Sequence, residues 1–209
     1  MTRPLTVAVA LAALAAPSVA HAASLTTNPA KQCYRSGETV HFIGADFTPN
    51  NLVNLSRDNI FVASLPADGA GRFDAGLRLL QDRSRQVRTY TATDSTNPGL
   101  SASVGVTVSA VGVGLSPSTG PVSRRFRIRA RGFTTGRTLW AHVLHKRSKR
   151  HLKIGRLKGA CHDLRARRRL LPRNAGFGRH RIQFDTFRRY RANRQVKTPY
   201  TIRVVRGGR

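Results

Sequence analysis

An all-β chain of two tandem β-sandwiches is what this sequence predicts, on three observations. Apolar residues alternate with polar ones at a period of two, as in Val40/Phe42, Val104/Val106/Val108, Phe126/Ile128 and Tyr200/Ile202/Val204. Turn-forming runs such as Thr48-Pro-Asn-Asn, Ala67-Asp-Gly-Ala-Gly and Asn174-Ala-Gly punctuate those stretches. The chain also repeats itself: residues 39–47 align with 125–133 at an offset of 86, with Val40, Phe42 and Phe47 opposite Phe126, Ile128 and Phe133. Residues Tyr90 to Asp94 likewise align with Arg181 to Asp185, and each is followed by a second alternating run. About seven short strands per ~90 residues is the density of a sandwich. The boundaries read as 23–109 for domain 1 and 110–209 for domain 2, joined through the short stretch Ser109 to Val113.

The first 22 residues fall outside that pattern. Arg3 precedes an apolar run from Leu5 to Ala16, and Pro17 to Ala22 supplies a breaker and small residues spaced Ala-x-Ala. This reads as a cleaved signal peptide at 1–22, with the mature chain starting at Ala23. The run is shorter than the ~20 residues a membrane helix needs. No Cys marks a lipoprotein site and no Arg-Arg precedes the run, which points to general secretion. A second uncharged stretch, the 29 residues between Asp94 and Arg124, is rich in Ser, Thr, Gly and Pro and has strand periodicity. No transmembrane segment is expected in the mature chain, which is placed in a secreted, cell-surface or periplasmic location.

Gly37-Glu-Thr-Val-His-Phe-Ile-Gly-Ala-Asp-Phe47 and Tyr90-Thr-Ala-Thr-Asp94 resemble bacterial immunoglobulin-like domains, the IPT/TIG-like kind included, which recur in tandem on secreted and surface proteins of bacteria with GC-rich genomes. The resemblance covers most of the mature chain and implies two immunoglobulin-like sandwiches with a binding or spacer role. It carries over no catalytic residues. Domain 2 departs from it in arginine content.

The departure is large. Domain 1 has eight basic and seven acidic residues, a net of +1, whereas domain 2 has 28 basic residues against Asp163 and Asp185 alone, a net of +26. Arg3 supplies the remaining charge of the chain's +28. Arginine outnumbers lysine, which totals six of 37, so codon bias accounts for some of the arginine. It does not account for the asymmetry within one gene. A domain so charged repels itself, a cost that a polyanionic partner removes.

Alternation aims that charge. In residues 125–131, Phe126, Ile128 and Ala130 turn inward, so Arg125, Arg127, Arg129 and Arg131 share an outer face at ~6.7 Å intervals. In a sandwich that strand pairs with the fifth, which is expected to hold Arg165, Arg167, Arg168 and Arg169. Arg165, Arg167 and Arg169 then complete a polyanion-binding array. Strict alternation points Arg168 inward, and residues 162–171 fit a short helix as well as a strand. The set Arg203, Arg206 and Arg209 is expected to end in a frayed C-terminal tail.

Guanidinium forks grip phosphate and carboxylate alike. Outside the membrane the eligible partners are cell-wall polymers, acidic polysaccharides, anionic lipid surfaces and released nucleic acid. Phe177, Phe184, Phe187, Tyr190 and Trp140 interleave with the basic residues, but Phe184 has core spacing and Trp140 suits an edge, so base stacking is weakly signalled. A spacer without a specific ligand is the alternative.

Catalysis and metal binding find little support. His142 and His145 are three apart, on opposite faces of a strand, and Cys161-His162-Asp163 are too close in sequence to form a triad. A cell-wall enzyme using Cys161 and a His is the distant alternative, though the Ser-His-Gly-Cys stretch of cell-wall transpeptidases is absent. The stretch from Gly69 to Gly76 reads as a hairpin turn rather than a phosphate cradle. No catalytic residue, metal ligand or cofactor is assigned. Cys33 falls between the strands expected near 24–28 and 38–44, and Cys161 between those near 151–157 and 164–170; both connections flank the Ser109–Val113 junction. A Cys33–Cys161 bridge clamping the domains is expected, with free thiols or an intermolecular pair as the alternatives.

Overall fold

In the computed structural model, which describes residues 22–81, 83–144, 149–194 and 197–206, the period-two stretches are strands and no helix occurs among the described residues. The signal peptide expected at 1–22 lies outside the described residues, apart from Ala22. The first eight strands are β1 (Ser24–Asn28), β2 (Tyr34–Arg35), β3 (Thr39–Ala45), β4 (Leu52–Arg57), β5 (Ile60–Pro66), β6 (Phe73–Arg78), β7 (Gln86–Asp94) and β8 (Ser101–Ser109). The next eight are β9 (Gly112–Ser116), β10 (Thr119–Gly120), β11 (Arg125–Arg131), β12 (Thr138–Leu144), β13 (Lys149–Arg156), β14 (Leu164–Arg169), β15 (Gly178–Asp185) and β16 (Thr198–Val204).

Strands β1–β8 form sheets ordered β1-β3-β6 and β2-β8-β7-β4-β5, and β9–β16 form β9-β11-β14 and β10-β16-β15-β12-β13. The two sets match strand for strand, as two copies of an immunoglobulin-like sandwich. Each has its own core. Phe42, Leu55, Tyr90 and Val106 are buried in the first, and Phe126, Leu139, Phe184 and Ile202 in the second. Fully burying such a side chain stabilises by ~1.5–3 kcal/mol, and neither core borrows residues from the other.

The repeat extends into packing detail. Gly44 is paired with Phe73, whose ring would lie 2.0 Å from a Cβ at position 44. The corresponding pair in the second sandwich is Ala130 and Leu164. Where the inward side chain is an aromatic ring, only glycine leaves it room; opposite the smaller leucine, alanine fits.

The run at 69–76 is not a hairpin turn. It carries the chain from β5 in one sheet to β6 in the other. Asp68 accepts the Ala70 and Arg72 N–H groups, and the Phe47 N–H donates to the Gly71 carbonyl, tying this crossing to the end of β3. Residues 164–169 are a strand, paired with β11 over six residues. Arg168 is on its inward side, but β14 is an edge strand, so the side chain escapes between the sheets and its Nε donates to the Ile154 carbonyl at 3.2 Å. Arg203 is in β16 opposite Arg179, and Arg206 lies over the Phe177 ring. Arg209 lies outside the described residues.

Only Ala110 and Val111 separate β8 from β9. Three further ties hold the junction. Cys33 and Cys161 form a disulfide with a Cα separation of 5.1 Å. Arg85 pairs with Asp163, and the Arg131 guanidinium donates to the Arg83 carbonyl at 3.0 Å. Gly132 has φ of +71°, and a Cβ there would come within 2.3 Å of the Ala110 carbonyl oxygen, so close backbone packing at the junction requires glycine. Such a bridge belongs to an oxidising compartment outside a reducing cytoplasm.

Candidate functional site

Alternation along β11 buries Phe126, Ile128 and Ala130 and exposes Arg125, Arg127, Arg129 and Arg131. The antiparallel register of β14 sets Arg169 opposite Arg125, Arg167 opposite Arg127 and Arg165 opposite Arg129. All seven arginines expected from the sequence therefore share the outer face of one three-stranded sheet. Directly opposed pairs have Cβ atoms ~5 Å apart, where like charges disfavour the sheet. Domain 2's two carboxylates do not relieve this: Asp163 pairs with Arg85, and Asp185 is buried against the other sheet. At opposite ends of the array, Arg131 donates to the Arg83 carbonyl and Arg169 to that of Ser123.

The equivalent face of domain 1 provides an internal comparison. There β3 presents Thr39, His41 and Ile43 opposite Arg78, Gly76 and Asp74 of β6. The fold is the same and the face is nearly neutral. An arginine array is therefore not something this sandwich needs in order to fold.

The third strand gives the face its relief. On β9, Gly112, Gly114 and Ser116 stand opposite Arg131, Arg129 and Arg127. With almost no side chain there, a trough runs beside the β11 arginines. It widens at the domain junction into a cavity of about 580 Å³ that includes Arg85, Arg129, Arg131 and Arg165. It continues past Ser116 and Arg127 to a hollow of about 390 Å³ at Arg124, Arg125 and Arg167. Beyond Arg169 lies a further cavity of about 610 Å³ lined by Val122, Arg173, Phe177 and Arg206.

The aromatic residues separate into different environments. Phe184 is fully buried, as its spacing implied. Trp140 is not at an edge, because β12 lies between β13 and β15. Phe187 is covered by the Arg194 guanidinium at 3.7 Å. Phe177, in contrast, is 66% exposed and lines a cavity with Arg169, the β14 arginine opposite Arg125.

A polar cluster that sequence spacing did not reveal sits on the outer face of the larger sheet. His142 is fully buried, with Nε2 3.0 Å from Asp185 Oδ1 and Nδ1 2.8 Å from His151 Nδ1. His145, three positions further on, lies outside the described residues. Burial alone would raise the pKa of Asp185, but hydrogen bonds from His142, Gln183 and the Phe187 N–H outweigh it and hold the carboxyl below its ordinary value. Both ring nitrogens of His142 are engaged, so the pair serves to hold down the chain after β15 and has no nitrogen to offer a substrate. Its repeat counterpart, Asp94, closes the same strand in domain 1. Oδ1 accepts the Thr96 and Asn97 N–H groups and Oδ2 that of Thr48, which outweigh burial and hold its pKa well below the carboxylate range.

The remaining chemistry-bearing residues are dispersed. Cys161 sulfur is occupied by the bridge, and the His162 ring contacts the Phe133 carbonyl at 2.9 Å. Among the described residues no group of three His, Cys, Asp or Glu side chains is placed to hold a metal ion, and no helix is long and apolar enough to cross a membrane.

No family model matches the chain, and no curated protein matches it. Solved structures similar to it include a protein of Corynebacterium diphtheriae described as membrane anchored, at TM-score 0.37 and 8% identity, covering 88% of this chain and 57% of that one. The adhesin InvE of Yersinia pseudotuberculosis is similar at TM-score 0.32 and 8% identity, covering 87% and 58%. Red sea bream transglutaminase is similar at TM-score 0.32 and 12% identity, covering 89% and 32%. The chain spans less than two thirds of the length of each.

Proposed function

We propose that this is a non-catalytic secreted or cell-surface protein whose second domain binds an extracellular polyanion through the outer face of β9, β11 and β14. One observation carries the reading: seven arginines occupy a face that the sister domain, on the same fold, leaves nearly neutral. Opposed guanidinium pairs cost stability in the free protein, and that cost is offset when an anionic polymer neutralises them. The disulfide supports an extracytoplasmic location, and the N-terminal export pattern supports the same compartment. Phosphate and carboxylate polymers both fit guanidinium donors. No cofactor enters this reading.

The tied junction favours a second, structural reading: a rigid two-domain spacer with no specific ligand. Retention of each domain, expressed separately, on heparin, DNA and anionic liposomes distinguishes the two. Domain 2 is expected to be retained at low salt and released steeply as salt rises, because each neutralised phosphate adds ~0.7–0.9 to the log–log slope on nucleic acid. Domain 1 is expected to flow through. Equal behaviour of the two domains contradicts the proposal.

A further inference from the structure

We infer that the occupant of the trough is a single-stranded nucleic acid, with phosphates along the β11 arginines and a base stacked on Phe177. This rests on the polyanion reading and narrows it. The trough is a track for one chain: a Gly112, Gly114 and Ser116 floor on one side and Arg131, Arg129 and Arg127 on the other. The floor follows an extended strand for four residue steps, ~13 Å, with a guanidinium every ~6.7 Å. A stiff duplex would rest on the arginine tips and leave that floor empty.

Phe177 supplies the second, independent observation. A large apolar ring exposed to 66% shares a cavity with Arg173 and with Arg169, the array member opposite Arg125, and has the Arg206 guanidinium 5.6 Å from its centroid. Phosphate offers a benzene ring nothing comparable to the planar face of a base. Stacking between bases and aromatic side chains, flanked by cations that hold the backbone, is how proteins take single strands without regard to sequence. An aliphatic polyphosphodiester satisfies the arginines and leaves Phe177 bare.

Binding of the full oxidised chain to two fluorescent 12-mers tests this by anisotropy: oligodeoxythymidine, and an abasic phosphodiester of the same length and charge. Wild type is expected to prefer the base-bearing oligomer by about tenfold or more, from stacking of at least one base. Phe177→Ala should lose that preference without weakening abasic binding, and Phe177→Trp should retain it. Equal wild-type affinities, unaffected by Phe177→Ala, would overturn the inference and leave a phosphate-chain ligand of the aliphatic kind. Failure of both oligomers to bind at low salt, together with no effect of removing the β11 arginines on any anionic polymer, would instead overturn the polyanion reading itself.

Discussion

Replacing Arg125, Arg127 and Arg129 together by Gln is expected to lower affinity for a phosphate polymer roughly a hundredfold at low salt. About 1 kcal/mol per arginine near an anionic surface gives that factor for three. The salt slope should shrink by about 2, since each single-stranded phosphate contact contributes ~0.7. The matched control is Arg179, Arg181 and Arg203, also changed to Gln. Those residues lie on the outer side of the other sheet, with Arg179 opposite Arg203 and Arg181 opposite Thr201. The control removes the same net charge from the same domain, so it isolates position from total charge. Its expected effect is severalfold at most. The β11 triple should also leave the fold intact, or stabilise it slightly by relieving opposed like charges. Affinity and slope measured for the three proteins across a salt series check this; equal losses in both triples would make the effect one of net charge alone.

The largest expected stability effects lie at two carboxylates far from the array. Asp94→Ala leaves the Thr48, Thr96 and Asn97 N–H groups without their acceptor where β7 ends, and also removes the partner of Asn51 Nδ2. Asp185→Ala does the same to His142 Nε2, Gln183 Nε2 and the Phe187 N–H. An orphaned buried donor costs ~1–3 kcal/mol and a partly buried one less, so Asp185→Ala should lose roughly 3 kcal/mol or more in domain 2, and Asp94→Ala, whose donors are partly buried, roughly 2 kcal/mol in domain 1. Both carboxyls have folded pKa values below the ordinary 3.8. A depressed carboxyl contributes stability that is complete above its unfolded pKa and lost as pH falls through the folded one. Wild type should therefore hold its stability down to about pH 4 and weaken below it, whereas each Ala variant should lack its share of that acid dependence. Denaturant unfolding at pH 7 and pH 3 measures both; variants within ~0.5 kcal/mol of wild type at pH 7 would show that the bonds do not anchor the strand ends.

Much of this architecture is legible in the sequence because it follows from local rules. Phe126, Ile128 and Ala130 must turn inward if 125–131 is a strand, which fixes the direction of the arginines between them. The 86-residue offset carries the β3 pattern onto β11, and the placement of Cys33 and Cys161 beside one junction anticipates their bridge. What is not legible depends on contacts between segments distant in the chain. Sequence leaves 162–171 open between strand and helix because Arg168 breaks the alternation. The answer lies in the carbonyl of Ile154, 14 residues away, which receives its Nε–H. The trough is not legible in sequence because Gly112 and Gly114 look like turn residues until the register sets them beside Arg131 and Arg129. The alignment of Asp94 with Asp185 was visible, but their roles were not, since His142 and Thr48 arrive from neighbouring strands and loops. Phe184 declares its core place by spacing, whereas Phe177 lies in no alternating run and only the structure shows its exposure.

The most direct test of the arginine face is an amide chemical-shift titration of the full oxidised chain with a short phosphodiester oligomer. The account predicts that perturbations concentrate in residues 112–116, 125–131 and 164–169, saturate with increasing ligand and fade with salt. Shifts of similar size on β12, β13, β15 and β16, or on the β3 and β6 face of domain 1, would contradict it.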